Sequence, residues 1–357
     1  MPDIFELVNA KAIGEYVDTL QGSEDPLLGA TLFPAKKIVG LDLRFVKGHK
    51  QNAVALRPSA LGARALVRDR IGGAVLTHEL PFFREKMILD ERLRQELARA
   101  KADATDPYTA SIIEQIFDDS KALVDGADVQ AERQRMQLLF TGKIEIKASD
   151  KDGKQPNYKY DYDVDEEWKD NNVVSLTGTA KWSDHEKSNP LKDIIDMVDK
   201  AGALGVKITR AICSPATMND IVQNNNIKAM FKNADGSQRI FGRNHAITEI
   251  ANITGVTIAV YNKSFTDENG VNKFYAPDDA MVFLPDGALG NTVYGTTPEE
   301  IDLIGDLNAN AKTSVVNTGV AVTTVKTYGP PVTVETVVSQ LVIPSFERMA
   351  EVFVINY

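Results

Sequence analysis

Residues 106–140 read DPYTASIIEQIFDDSKALVDGADVQAERQRMQLLF, and the spacing inside them predicts one very long helix. Asp106 is a good N-cap, and Pro107 suits the first helical position, where its missing N–H has no partner to lose. Ile112, Ile113, Ile116, Phe117, Val124, Ala127, Ala131 and Leu138 recur at three- and four-residue steps and form one apolar stripe. Glu114, Asp118, Asp119, Lys121, Glu132, Arg133 and Arg135 lie between them and read as a wet face. Gly142 follows the apolar end and is a plausible stop. Such a helix is roughly 45–50 Å long at about 1.5 Å per residue. That suits a flat or elongated subunit better than a round enzyme, whose radius of gyration would be only about 20 Å. The alternative is two shorter helices broken near Gly126.

Working outward, the whole chain has 357 residues, 43% apolar and 25% charged, which allows two or three domains and argues against disorder. The one cysteine, Cys213, rules out an internal disulfide. No apolar run approaches the ~18–20 residues of a membrane span. Residues 1–20 carry Asp3, Glu6, Lys11, Glu15 and Asp18 within their apolar pattern, so no signal peptide is expected. The net charge of −10 does not favour tight binding to a nucleic acid backbone. The charge is uneven. Residues 44–86 hold nine Lys or Arg against three acids, a net +6 that leaves −16 for the remainder. A basic segment on an acidic body can grip nucleic acid or a neighbouring copy of the chain.

In order, residues 4–20 read as a short amphipathic helix and residues 37–46 as a strand. Residues 48–78 are rich in Gly, Ala and Arg and contain no aromatic residue, a composition suited to an extended β-arm lying on another surface. Residues 80–101 return to helical spacing. After the long helix, strands at 143–146, 158–164 and 173–181 predict a small antiparallel sheet. From Ser188 helices and strands alternate: a helix at 191–202, a strand at 207–213, a helix capped by Ser214-Pro215, helical pieces at 228–231 and 246–251, a hairpin joining 256–261 to 273–276, a strand at 280–284 and a helix at 298–307. Beyond Asn310 the chain is β-rich again, at 315–325, 333–342 and 351–355. The order β, then α/β, then β suggests that the α/β region is an insertion and that the last segment rejoins the earlier sheet.

A search for chemistry returns little. His49, His78, His185 and His245 are far apart, and none of the zinc, nucleophile-elbow or P-loop spacings occurs. The alternating Asp161, Asp163 and Asp165 resemble the start of a calcium loop. That loop needs Gly and Glu where this chain has Glu166 and Asn172, and as a strand the three carboxylates would share an exposed face. Cys213, at a strand end without a basic neighbour, reads as a buried structural thiol. No catalytic residue, metal or organic cofactor is expected.

Several local stretches are nevertheless familiar. They are Trp182-Ser183 followed by Lys187-Ser188 and Asp193-Ile194; Val260-Tyr261; Asn269-Gly270-Val271-Asn272-Lys273-Phe274; and Pro277-Asp278-Asp279-Ala280-Met281-Val282. With the order of parts, they make the chain from about residue 25 onward similar to the phage capsid protein E family, that of the lambda-like major head proteins. The resemblance implies an α+β, Hong Kong 97-type capsid fold. Its parts would be an N-terminal arm (1–36), a strand and extended β-arm or E-loop (37–80), a peripheral domain (81–187) with a spine helix at 107–140, an axial α/β domain (188–309), and a β return to the peripheral domain (310–357).

The resemblance also implies a function. The chain would be the major head protein of a tailed double-stranded DNA phage, assembled in the host cytoplasm and located in the virion. Hexamers and pentamers would close into an icosahedral shell. The implied partners are other copies of the chain, a separate scaffolding protein, a portal, a decoration protein, a maturation protease, and packaged DNA held without tight specific binding. Arg57, Arg64, Arg68 and Arg70 of the arm are the expected intersubunit cations, and Asp118, Asp119, Asp161, Asp163 and Asp165 their expected partners. The rival of the same fold is a cellular nanocompartment shell. The rival of a different class is an acidic soluble enzyme with its site at 191–307.

Overall fold

The structure is a computed structural model that describes residues 9–21, 26–47, 74–89, 91, 92, 95, 107–146, 157–232, 240–267, 269–304, 311–327, 329 and 332–357. It begins with helices α1 (Ala10–Gln21) and α2 (Leu28–Leu32) and strands β1 (Ala35–Lys37), β2 (Asp42–Lys47), β3 (Ala74–Glu79) and β4 (Phe82–Leu89). The long helix α3 (Pro107–Thr141) follows, then β5 (Lys143–Ile146), β6 (Tyr158–Asp161), α4 (Glu167–Asn172) and β7 (Val173–Ser175). Next come α5 (Pro190–Ala203), β8 (Ile208–Cys213), α6 (Pro215–Gln223), α7 (Asn225–Met230) and α8 (Arg243–Thr254). Strands β9 (Thr257–Val260), β10 (Ser264–Thr266), β11 (Asn272–Phe274), β12 (Ala280–Pro285) and β13 (Thr292–Tyr294) lead to α9 (Pro298–Leu303). The chain closes with β14 (Ala311–Val316), β15 (Val320–Thr327), β16 (Thr333–Pro344) and β17 (Phe353–Asn356).

The deciding stretch is one unbroken helix of 35 residues. Gly126 does not interrupt it, and a Cβ there would meet nothing within 4 Å. Gly142 ends it in the left-handed region at φ +69°, its N–H donating to the Leu138 carbonyl at 2.8 Å.

The chain divides into two compact units. The first comprises Met1–Leu43, Thr77–Arg135 and Asn291–Ser345. Its six-stranded sheet runs β1-β13-β16-β15-β14, with β4 also beside β16. The twelve-residue β16 organises it, pairing with β15 and β4 along most of its length and with β13 at its C-terminal end. Alternation then sorts the side chains. Val338, Val322, Val320 and Val316 face α1 and α3 in a core with Ile13, Val17, Ile116, Val124 and Ala127. Ser339 faces the other way and donates to Glu299 of α9 at 2.9 Å.

Part of the expected wet face of α3 is buried. Glu132 accepts the Gly29 N–H at 2.8 Å and is paired with Arg135 at 3.1 Å. Arg135 also donates to Thr292 at 2.7 Å and to the Tyr294 hydroxyl at 3.3 Å. A buried charge persists only when paired and hydrogen-bonded, and this pair meets both conditions. Gly29 is needed here because a Cβ would stand 2.5 Å from the Glu132 carboxylate.

The second unit comprises Arg44–Leu76, Met136–Gly290 and Phe346–Tyr357. Its five-stranded sheet runs β7-β17-β12-β8-β9. Met281, Phe283, Phe353 and Ile355 form its core with Ile194, Met197, Met218, Ile221 and Ile250 from helices α5, α6 and α8. Caps fix the helix starts: Asn189 accepts the Lys192 N–H and Ser214 the Thr217 N–H, each at 3.2 Å.

Several expectations are corrected. Phe82–Leu89 is a strand and not the start of a helix, because its eight residues pair in register with β16. Residues 315–325 are two strands joined by Asn317 and Thr318, both at positive φ, the requirement of a tight hairpin turn. The hairpin partner of Asn272–Phe274 is Ser264–Thr266, while Thr257–Val260 runs parallel to β8. Only Val173–Ser175 of the strand expected at 173–181 forms, and it pairs in parallel with β17. The last strand does rejoin Val173–Ser175 of the expected earlier sheet, but that strand and β17 lie in the α/β sheet beside β12, while β5 and β6 pair apart from them. Thr292–Tyr294 and Pro298–Leu303, read with the α/β region, cluster with the first unit, since β13 pairs with β1 and β16.

Candidate assembly surfaces

Strands β2 and β3 pair as a two-stranded sheet on either side of the segment expected to form the arm, which itself lies outside the described residues. Arg57, Arg64, Arg68 and Arg70 lie outside the described residues. The five acids named as their partners do not share one environment. On α3, Asp118 accepts the Tyr16 hydroxyl at 2.6 Å, and that hydrogen bond raises the phenol above its ordinary pKa. Asp119 is exposed and has no hydrogen-bond or ion-pair partner among the described residues.

The Asp161, Asp163 and Asp165 series is not an exposed strand face. The strand ends at Asp161, whose carboxylate pairs with Lys143 at 2.7 Å and raises the pKa of that ammonium by its hydrogen bond. Asp163 is buried and accepts the Trp168 and Lys169 N–H groups, each at 2.9 Å. It therefore satisfies the first turn of α4, a local structural use of a carboxylate. Asp165 remains exposed. No cluster of three or more His, Cys, Asp or Glu with metal-binding geometry occurs among the described residues. Cys213 is buried, and burial pushes its thiol up to about 12. No helix among the described residues is long and apolar enough to cross a membrane.

Sequence reading missed one exposed feature of the first unit. Between β1 and β2 the chain turns at Gly40, φ +110°, and exposes Val39 and Leu41. The run Ile38-Val39-Gly40-Leu41 looks like part of a strand, but a glycine inside a strand pattern is the available sign of a bend.

The fold has known counterparts. Over 98% of this chain and 99% of the other, it is similar to a crystal structure of the putative capsid protein of a prophage of Escherichia coli CFT073, at 14% identity and a TM-score of 0.59. A phage-related protein from Bordetella bronchiseptica RB50 matches at 12% identity and a TM-score of 0.53, covering 98% of this chain and 97% of that one. The capsid asymmetric unit of cyanophage A-1(L) matches at 12% identity and a TM-score of 0.51, over 93% and 92% of the two chains. No curated protein matches the sequence. The architecture is the expected α+β, Hong Kong 97-type capsid fold. The profile described as phage major capsid protein E matches residues 9–329, most of the chain, and so the chain belongs to the phage major capsid protein E family.

Proposed function

We propose that this major capsid protein assembles through hexamers and pentamers into the icosahedral head of a tailed double-stranded DNA phage. The family match over residues 9–329 carries the reading. The chain's task is then assembly and not turnover. In this reading the α/β unit is the axial domain that packs around the symmetry axes. The sheet with the first four-fifths of α3 is the peripheral domain, and the segment between β2 and β3 reaches over a neighbouring copy. A separate scaffolding protein, a portal, a maturation protease and a decoration protein complete the assembly in the host cytoplasm. Packaged DNA meets a chain of net charge −10, a wall that does not hold it tightly.

The arm's arginines contact acids of the next copy in this reading. Asp119 and Asp165 are the two of the five candidates left open for this role, since Asp118, Asp161 and Asp163 already have partners within the chain. The test is electron microscopy of the full-length chain beside an Arg64→Glu/Arg68→Glu variant. The wild type is expected to form icosahedral shells, and the variant folded, soluble capsomers that do not close, with no DNA present. Normal empty shells from the variant would exclude the interface role of these arginines. A wild type that forms no shells even when produced together with its scaffolding protein would exclude the function itself.

A further inference from the structure

The turn at residues 38–41 is held at three points. The Ile38 N–H donates to the Tyr294 carbonyl at 2.8 Å, the Thr296 hydroxyl to the Ile38 carbonyl at 3.2 Å, and the Leu80 N–H to the Leu41 carbonyl at 2.8 Å. Gly40 occupies a backbone region that side-chain-bearing residues rarely adopt. Gly295 lets the strands close on it, since a Cβ there would stand 2.9 Å from the Gly40 carbonyl. The same contacts bring in α9, whose Glu300 pairs with Lys37 at 2.6 Å and whose Glu299 pairs with Arg84. The Thr297–Glu300 capping box fixes its first turn.

On this fixed frame four apolar side chains face outward: Val39 is 95% exposed, Leu41 51%, Ile301 68% and Ile304 50%. A loose loop could fold Val39 inward, but the anchored backbone prevents it. We propose that the ridge of Val39, Leu41, Ile301 and Ile304 is a contact with a second copy of this chain in the assembled shell. The inference rests on the shell reading above.

Three observations favour a second copy. The family is one of capsid proteins, so other copies of the chain are the most abundant surface available to cover such a ridge. Summed over the four residues, the exposed area is on the order of 400 Å², about half of one partner's share of a standard interface. The exposed charges beside it, Lys36, Asp42 and Asp302, are of both signs. Mixed charge suits a protein surface, whereas a nucleic acid or an anionic lipid surface favours cations alone. The frame is also preorganised, so association orders little that was loose.

The test uses full-length Val39→Cys. The native thiol, Cys213, is buried and held far from its reactive form, so labelling reports the new cysteine. Maleimide labelling is expected to slow by roughly tenfold or more in shells relative to free subunits, as burial at a well-packed contact requires. Val39→Asp and Ile301→Asp are expected to remain folded by circular dichroism and to give few shells or shells that dissociate at lower denaturant. Equal labelling in well-formed shells and free subunits overturns this contact alone. So does wild-type shell yield and stability from both Asp variants. Protection that appears only after a different protein is added assigns the ridge to that protein and also overturns the proposal. A wild type that forms no shells even with its scaffolding protein present overturns both this contact and the shell reading.

Discussion

In the α/β unit the central strand β12 is buried along all six residues, while in the other unit β4 leaves Arg84 through Ile88 exposed. The same contrast runs through the cores. The α/β unit packs Met281, Phe283, Phe353 and Ile355 against helices in an apolar cluster, and its buried polar groups, such as Asp163, Ser214 and Asn224, serve as local backbone partners and caps. The unit around β16 buries an ion pair, Glu132–Arg135, and glutamines with amide atoms that lack a partner among the described residues: Gln130, Gln134 and Gln340. A sheet covered on both faces is stabilised mainly by apolar burial. A sheet that carries a long helix on one face and an exposed apolar ridge at its edge depends more on polar contacts that fix position. One unit is built as a self-sufficient core, and the other resembles a part awaiting neighbours.

The largest effects should come from the two cores. Phe283→Ala removes a fully buried ring from the α/β sheet and is expected to cost about 3–5 kcal/mol, read by chemical denaturation. Glu132→Ala strands the Arg135 charge and the Gly29 N–H and is expected to cost a similar ~3–5 kcal/mol. If the contrast is right, Glu132→Gln recovers part of that loss, because an amide still accepts the Gly29 N–H. No recovery with Gln would show that charge pairing alone carries the effect.

A smaller effect of opposite sign sharpens the same point. Gln134 is buried with both side-chain polar atoms unpaired among the described residues. Gln134→Leu is therefore expected to stabilise the free subunit by about 1 kcal/mol. A loss of stability would mean that the amide is solvated by an internal water or paired in a way that Leu cannot replace.

The smallest effect is local and pH-dependent. In the β10–β11 hairpin, the hydrogen bond and ion pair from Lys273 and the Val271 and Asn269 N–H groups hold the Asp267 carboxyl down to about 2. The folded value lies below the unfolded one, near 3.8. The stabilisation is therefore complete above about pH 4 and is lost as pH falls toward 2. The protection factors of the Val271 and Asn269 amides, taken relative to intrinsic exchange at each pH, should fall across that window in the wild type. Asp267→Asn should show the lower protection already at neutral pH and no further fall of this kind.

Much of the fold was legible from local signals. The α3 stripe, Pro107 and Gly142 set a 35-residue helix to within a residue at each end. Ser214-Pro215 and the acidic start of α9 gave their helices because capping is a property of a few adjacent residues. The assembly surface was less legible. Asp163 looked like its neighbours Asp161 and Asp165, yet it is buried under α4 as a backbone acceptor.

The sequence by itself determined where the long helix and the capped helices begin, that the chain alternates β with α/β, and, through scattered matching stretches, its family. Only the tertiary structure decided which strands pair. Phe82–Leu89 has apolar spacing compatible with either a helix or a strand, and β16, some 250 residues further on, supplies the hydrogen-bond partners that select the strand. The last strand likewise lies between β12 and β7 and pairs with both, a fact no local pattern carries. Burial of Glu132 and Arg135 was decided in the same way: on a helix wheel they belong to the wet side, and only the arrival of Gly29, Thr292 and Tyr294 covers them. Local propensity is set by neighbours in sequence, whereas pairing and burial are set by neighbours in space.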